Sequence, residues 1–307
     1  MGSLEGKVAI VTGAGRSIGR AEALRLAAEG CAVVVNDVNA SVAGERLAGL
    51  PAEEVAAEIR ARGGRAVANG ADVSSWAGGE AMVRQALEEF DRLDVLINNA
   101  GNSRPRMLFN MTEEDWDLVT TVHLKGSFVP TRWAAIHWRS ECKRTGQPCD
   151  AAVVFTSSSN GLHATEGHIN YNAAKAGIAA MCGVTALELA PYGVRSNCIA
   201  PLAFSRMTEE LHGGPLFSED RRVDLGPENV AEVVTWLCSP YTEGVTGQML
   251  SFGGRRLSAM TGWQEVSAAE SSGDAWSFDA LNSAKDSLFP LLATGGHGAP
   301  RRRRVAG

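Results

Sequence analysis

The sequence is poor in several things, and each shortage narrows the possibilities. No apolar run approaches the roughly 20 residues that a membrane-spanning helix requires. The opening "MGSLEGKVAIVTG" lacks the charged n-region and the cleavage site of a signal peptide. A cytoplasmic location, without membrane attachment, is the resulting expectation. There is no basic excess: 29 Lys and Arg face 35 Asp and Glu, for a net charge of -6, which argues against nucleic acid as the main partner. The six cysteines, Cys31, Cys142, Cys149, Cys182, Cys198 and Cys238, are scattered and form no CxxC pair. They read as small core residues. Cys142 and Cys149 flank a loop and would pair only in an oxidising compartment. No histidine or cysteine cluster has metal-binding spacing, so no metal is expected. Tyrosine is scarcest of all, with three in 307 residues. One of them, Tyr171 in "INYNAAKAG", stands four residues before Lys175.

What is present is a globular composition, 45% hydrophobic and 21% charged. Short apolar runs alternate with amphipathic stretches through the first 255 or so residues. The expected strands are 7–12, 31–36, 65–69, 93–98, 151–157, 194–200 and 247–252. Most show no strict alternation, as in strands covered on both faces. The expected helices are 17–29, 52–62, 76–91, 113–141, 170–190 and 228–238. This repeated order implies an α/β fold with a doubly wound parallel sheet and helices on both faces. The first domain is expected to span 1–256. Residues 257–307 form a C-terminal extension with one short helix, and its last 14 or so residues, ending in four arginines and "VAG", are expected to be disordered.

"VAIVTGAGRSIGRAEAL" places Gly13, Gly15 and Gly19 at a strand-to-helix turn. Glycine permits the tight turn and a close backbone approach to a pyrophosphate, and the helix N-terminus offers free N–H groups to that anion. Gly13, Arg16, Ser17, Ile18 and Gly19 are therefore candidate cofactor contacts. Asp37 ends the second strand, where an acid hydrogen-bonds the adenosine ribose and repels a 2′-phosphate. That favours NAD over NADP, against Arg16, which could neutralise such a phosphate. In "GADVSSW", Asp72 reads either as an acceptor for the adenine amino group beside the Val73 backbone, or as a turn residue, with Ser74 and Ser75 as helix caps.

"TGAGRSIG", "NNAG" (98–101), "SSS" (157–159) and "YNAAK" (171–175) occur in the order and spacing of the classical short-chain dehydrogenase/reductase family, which the chain resembles over about residues 5–255. "VHLKGSF" and "APLAFSRMTEEL" look most like the subgroup with the dehydrogenase domains of peroxisomal multifunctional enzymes. The resemblance implies one Rossmann-like domain with a seven-stranded sheet in the order 3-2-1-4-5-6-7, and a homotetramer or dimer. It implies that Asn99, Ala100 and Gly101 line the cofactor, that Asn98 helps hold the sheet, and that Ser158 binds the substrate. Alternation turns Ser157 and Ser159 elsewhere. Pro201 and Ser205 fall where the family contacts the nicotinamide. His123 stands where the family has a catalytic asparagine, and either serves a proton path or merely packs. Ser17 replaces a glycine of the loop.

The chemistry follows from the Tyr–Lys spacing. Tyrosine, with a pKa near 10, is a poor base at neutral pH, and an ammonium one helical turn away lowers that value. Tyr171 is the candidate acid/base, Lys175 its partner, and Ser158 the group that orients the substrate oxygen; the resemblance implies that Lys175 also binds the nicotinamide ribose. His163 and His168 lie between Ser158 and Tyr171, toward the substrate mouth, whereas His137, His212 and His297 have no partner pattern. The substrate loop, 202–227, mixes apolar residues with Arg206, Arg221 and Arg222. The expected activity is NAD-dependent interconversion of a secondary alcohol and a ketone, with a small-molecule substrate such as a hydroxyacyl-CoA, a steroid or a related alcohol. The competing reading is a non-catalytic NAD(H)-sensing relative.

Overall fold

The unbroken apolar runs become strands covered on both sides. The computed structural model describes residues 2–203, 225–262, 264–271 and 275–289. β1 (Val8–Thr12), β2 (Ala32–Asn36), β3 (Arg65–Asn69), β4 (Val95–Asn98), β5 (Ala151–Thr156), β6 (Val194–Pro201) and β7 (Met249–Gly253) are parallel, in the order 3-2-1-4-5-6-7. An eighth strand, β8 (Arg256–Met260), pairs antiparallel with β7. The seven-stranded expectation is thus one strand short, and the sheet continues past residue 256. The cause is local. Gly254, at φ +58°, turns the chain tightly, and an edge strand needs no continuous apolar run to announce it.

The helices are α1 (Ser17–Ala28), α2 (Pro51–Ala61), α3 (Trp76–Phe90), α4 (Glu113–Thr120), α5 (Gly126–Thr145), α6 (Ile169–Leu189) and α7 (Pro227–Cys238). The single helix expected over 113–141 is interrupted by a π-helical turn at Thr121–Lys125. A π turn adds a residue to one turn and rotates everything downstream, which a 3.6-residue periodicity does not register. His123 sits in this turn.

Side-chain alternation along the strands divides the interior in two. Ala9 and Val11 of β1 pack with Leu26 of α1, Ile59 of α2 and Val234 of α7. Val8 and Ile10 face the other way, toward Met82 of α3, Trp138 of α5 and Ile178 of α6. Each fully buried aliphatic or aromatic side chain here stabilises the fold by roughly 1.5–3 kcal/mol. Trp138 is wholly buried, and its indole N–H donates to the Leu93 carbonyl at 2.7 Å. α6, with its continuation to Tyr192, has the length and mean hydropathy of a membrane span, contrary to the expectation that no segment approaches one. Its buried side, including Ala174, Ile178 and Cys182, fills the second core, which accounts for that apolar composition.

All six cysteines are free, with Cys31, Cys182, Cys198 and Cys238 buried. The described residues divide into two compact units that meet between Met260 and Thr261. The second contains α8 (Phe278–Leu288), capped by the Ser277 hydroxyl, which accepts from the Ala280 N–H at 3.1 Å. In the first unit β1 lies between β2 and β4: the chain runs outward from β1 through β2 to β3, then crosses back to β4 on the other flank of β1. Such a switch point opens a crevice at the carboxyl ends of those strands.

Candidate active site

That crevice is a cavity of about 610 Å³. At one end lies the glycine turn after β1. Gly13 has φ +64°, and a Cβ there would lie 2.8 Å from the Ala100 Cα, so only glycine lets the β1 and β4 loops meet. At Gly15 a Cβ would come within 2.7 Å of Asp37 Oδ2. Ser17 takes φ +49°, a left-handed conformation without glycine's freedom. Arg16 makes no side-chain cap on α1, and no acid lies in its first turn. The N-terminal amides of α1 thus suit an anion. The glycine cradle, the free helix end and the acid on β2 fit an adenine dinucleotide.

Asp37 is held on both oxygens. Oδ2 accepts from the Gly15 N–H at 2.9 Å and Oδ1 from the Asn39 N–H at 2.6 Å. The Arg16 guanidinium donates to Asn39 Oδ1 at 2.7 Å. Asp72 accepts from the Ser74 N–H and hydroxyl at 2.8 and 2.7 Å, and Ser75 caps α3 through the Gly78 N–H. The turn geometry of Asp72 is thus present, while Asp72 and buried Val73 also line the cavity. The Thr12 hydroxyl accepts from the N–H groups of Asn99 and Ala100, and Asn99 Nδ2 donates to the Thr12 carbonyl at 2.9 Å. Asn98 Nδ2 donates to the Thr131 hydroxyl at 2.9 Å, pinning β4 to α5.

At the other end, β5 and α6 bring Ser158, Tyr171 and Lys175 to the same cavity. Ser158 is extended, and its hydroxyl accepts from the Asn160 N–H at 3.2 Å. Ser157 points elsewhere, donating to the Lys175 carbonyl at 2.8 Å. Ser157 and Ser159 nevertheless both also line the cavity. Lys175 is buried; Nζ donates to the Thr156 carbonyl at 2.6 Å and stands 5.4 Å from the Tyr171 ring centroid. The expected lowering of the tyrosine by its neighbouring ammonium is not what results. Burial raises the Tyr171 pKa, against an opposing hydrogen bond with Ser158, and burial pulls Lys175 down to about 8. In a desolvated pocket the neutral form of each group is favoured.

His123 is 1% exposed. Its ring meets Tyr171 edge-on, centroids 5.1 Å apart. Nε2 lies 2.7 Å from the Asn102 carbonyl oxygen and 3.1 Å from the Asn102 nitrogen. The carbonyl contact suits a protonated Nε2 and the Asn102 N–H an accepting one, so both tautomers have a partner at Nε2, whereas no protein group partners Nδ1. Burial and the nearby Lys175 charge hold the ring neutral, well below the ordinary histidine pKa. Gly101 accommodates this ring: a Cβ there would lie 2.5 Å from Cε1. His168 lines the cavity, its ring 6.5 Å from Tyr171. His163 is exposed. Ile18 and Pro201 line the cavity. Ser205, His212, His297, the three arginines of the substrate loop and most of that loop lie outside the described residues.

Sequence reasoning missed Asn39, Asn102 and Asn170. Asn170 is fully buried; its Oδ1 accepts from the Tyr171 N–H at 2.8 Å, and Nδ2 donates to the carbonyls of Arg104 and Asp115 at 3.1 and 2.9 Å. Its only signal was a polar residue at the first turn of an apolar helix.

Residues 7–212 match the family described as "short chain dehydrogenase". A hydroxyacyl-CoA dehydrogenase of Mycobacterium tuberculosis is 42% identical over 248 residues, 80% of this chain and 77% of that protein. Peroxisomal multifunctional enzyme type 2 of Mus musculus is 42% identical over 234 residues, 76% of this chain but only 30% of the mouse protein. The crystal structure of a short chain dehydrogenase from Mycobacterium avium superposes with a TM-score of 0.82 at 40% identity, covering 94% of this chain and 96% of that one. The chain spans under a third of the mouse multifunctional enzyme, so the likeness to it concerns that portion alone. With this sheet order, this cleft and these relatives, the chain belongs to the short chain dehydrogenase family, alongside the multifunctional-enzyme type 2 subgroup, and is an oxidoreductase.

Proposed function

We propose that the protein interconverts a secondary alcohol and a ketone using NAD, with a hydrophobic hydroxyacyl-CoA as the substrate class. The observation that carries this reading is the convergence of Ser158, Tyr171 and Lys175 on the cavity that also holds Asp37 and the glycine turn. When bound, NAD supplies the hydride acceptor at the alcohol carbon. The remaining work falls to the chain. Ser158 donates a hydrogen bond to the substrate oxygen and fixes its distance from Tyr171. In oxidation the Tyr171 oxygen takes the hydroxyl proton as the C–H pair leaves; in reduction it returns one. Free Tyr171 is held neutral by burial, so the positive charge of oxidised nicotinamide and of Lys175 favours the phenolate when the pocket fills. His123, whose ring meets Tyr171 edge-on, borders the route of this proton to solvent.

Cofactor preference rests on Asp37. Its carboxylate is fixed by two backbone amides at the end of β2, while Arg16 is engaged by Asn39. A 2′-phosphate would meet that fixed negative charge. Asp72 and Val73 form the adenine side, and Asn99, Ala100 and Gly101 the nicotinamide side. The substrate class is supported by the name of the mycobacterial relative. The test is a panel of 3-hydroxyacyl-CoAs, hydroxysteroids and simple alcohols with NAD or NADP, read at the reduced-nicotinamide absorbance. Tyr171→Phe is expected to lower kcat by about 10²–10⁴, the usual worth of a positioned proton donor, while calorimetry shows NAD binding unchanged. Near-normal turnover in that variant, or tighter binding of NADP than of NAD, overturns the corresponding assignment.

A further inference from the structure

Between β2 and α2 the chain does not go directly to the helix. Residues 40–46 form a small hairpin: Ala40 and Arg46 pair as an antiparallel bridge, and the Ser41 N–H donates to the Glu45 carbonyl at 2.7 Å. Its base is pinned on the nucleotide side. Asn39, 5% exposed and at φ +57°, donates through Nδ2 to the carbonyls of Leu47 and Gly49 at 2.9 and 3.0 Å. The same residue receives Arg16 and donates to Asp37. The tip is pinned on the opposite wall of the cleft. The Ser103 N–H donates to the Val42 carbonyl at 2.9 Å, and Arg104 Nε donates to the Ala43 carbonyl at 2.8 Å. Gly44, at φ +90°, is packed so closely on α4 that a Cβ would lie 2.6 Å from Leu118 Cδ2.

Ala40, Ser41, Val42 and Gly44 line the same cavity as the glycine turn, Asn99 and Tyr171. A dinucleotide lying along that cavity therefore has the hairpin across it. From this geometry we propose that residues 40–46 are a strap over the bound cofactor and that Arg104 is the positioning residue that latches it. The inference rests on the reading of this cleft as a nicotinamide-cofactor site.

Arg104 is suited to the task because its donors divide. Nε holds the strap carbonyl, while Nη1 pairs with Glu114 at 2.8 Å and reaches Asp115 at 3.5 Å on α4. Its own carbonyl accepts from Asn170, the residue that seats the Tyr171 N–H. The latch thus stands on the segment that also supports the start of α6. Two hydrogen bonds at the tip are few enough to break and remake on each cofactor exchange. Their loss acts on the release rate, since association is limited by other steps.

The test is stopped-flow release of NADH from the full-length protein, followed by its fluorescence as excess NAD displaces it. Arg104→Lys keeps a cation for Glu114 and Asp115 but lacks the guanidinium fork. It is expected to speed release about tenfold, the worth of one or two hydrogen bonds, with the thermal midpoint unchanged. Gly44→Ala leaves Arg104 in place and lifts the tip away from Leu118, and should speed release to a similar extent. Glu88→Ala, at an exposed residue of α3 that pairs with Arg84, should leave release as in the wild type. An unchanged rate in either Arg104→Lys or Gly44→Ala overturns the latch. Wild-type protein that gives no NADH signal at all overturns the cofactor reading beneath it, a distinct result.

Discussion

Two buried ionisable groups, one on each side of the sheet, carry polar atoms without partners, and their difference separates a site from a liability. Glu22 lies on α1, 0% exposed, with neither carboxylate oxygen hydrogen-bonded. Thr235 on α7, the helix against which α1 packs, likewise has an unpartnered buried hydroxyl. His123 lies on the other side with its Nδ1 unpartnered. Burial is the main cause that makes both groups neutral: it raises Glu22 to about 8 and, with the Lys175 charge, drives His123 down. What differs is the neighbourhood. His123 faces Tyr171, Lys175 and the cavity. Glu22 is not among the cavity-lining residues; it lies near Cys238, a buried thiol that burial keeps neutral, on the helix that packs against α7. A perturbed pKa therefore points to function only where a cleft is also present.

The largest effect that would sharpen this contrast is on stability. The unfolded chain ionises Glu22 near 4.5, whereas the fold keeps it protonated to about 8. The folded state binds more protons between those values, so stability is full below pH 4.5 and falls as pH rises toward 8. At about 1.4 kcal/mol per pH unit, the cost above pH 8 approaches 5 kcal/mol. Glu22→Gln removes the charge without removing the volume. It should raise the unfolding free energy by several kcal/mol at pH 8.5 and by little at pH 4.5, measured by denaturant titration across pH. A stability difference that does not grow with pH would break the comparison, because Glu22 would then be charged and compensated in the fold.

His123 predicts a different pattern: a change in rate, a stability cost in the alanine variant from the emptied ring site, and none in the shape of the pH profile. Its ring is already neutral across the working range, so it contributes no inflection of its own. His123→Asn restores a side chain that both donates and accepts at the cleft, and should keep kcat within a fewfold. His123→Ala removes the ring that meets Tyr171 and should lower kcat by about 10–100-fold, toward the small end of a relayed proton's worth. Parallel pH-rate curves for wild type and both variants are the check. If His123→Ala matches wild type in rate, the histidine is packing, and it joins Glu22 on the structural side of the comparison.

The contrast also marks what was legible in advance. Strands β1 to β7 were readable because covered strands are apolar without alternation; that Asp37, Tyr171 and Lys175 share one cavity could be anticipated from their spacing relative to turns and helices, and that Ser158 joins them from the family resemblance. β8 was not, since an edge strand after a glycine turn leaves little pattern. The π turn at 121–125 was hidden for the same reason: it changes the phase of a helix, not its composition. The hairpin 40–46 and the seat made by Asn170 arise from contacts between segments far apart in sequence, as Arg104 with Ala43 and Asn170 with Asp115 illustrate. Glu22 was invisible because a glutamate on an amphipathic helix ordinarily faces water.

The smallest expected effect lies on the same helix as Glu22, at its cleft end. Ser17 holds φ +49° where glycine would sit without strain. A left-handed non-glycine residue costs about 1 kcal/mol or more, and glycine returns part of that through greater freedom in the unfolded chain. Ser17→Gly should therefore stabilise by about 0.5–1 kcal/mol, raising Tm by about 1–3 °C. The strain is tolerated in the fold only if the side chain returns something in the bound state. Calorimetry with NAD decides it: weaker binding by Ser17→Gly, despite the higher Tm, means that the hydroxyl serves the pyrophosphate. Equal binding means that Ser17, like Glu22, is a cost to the fold with no return at the cleft.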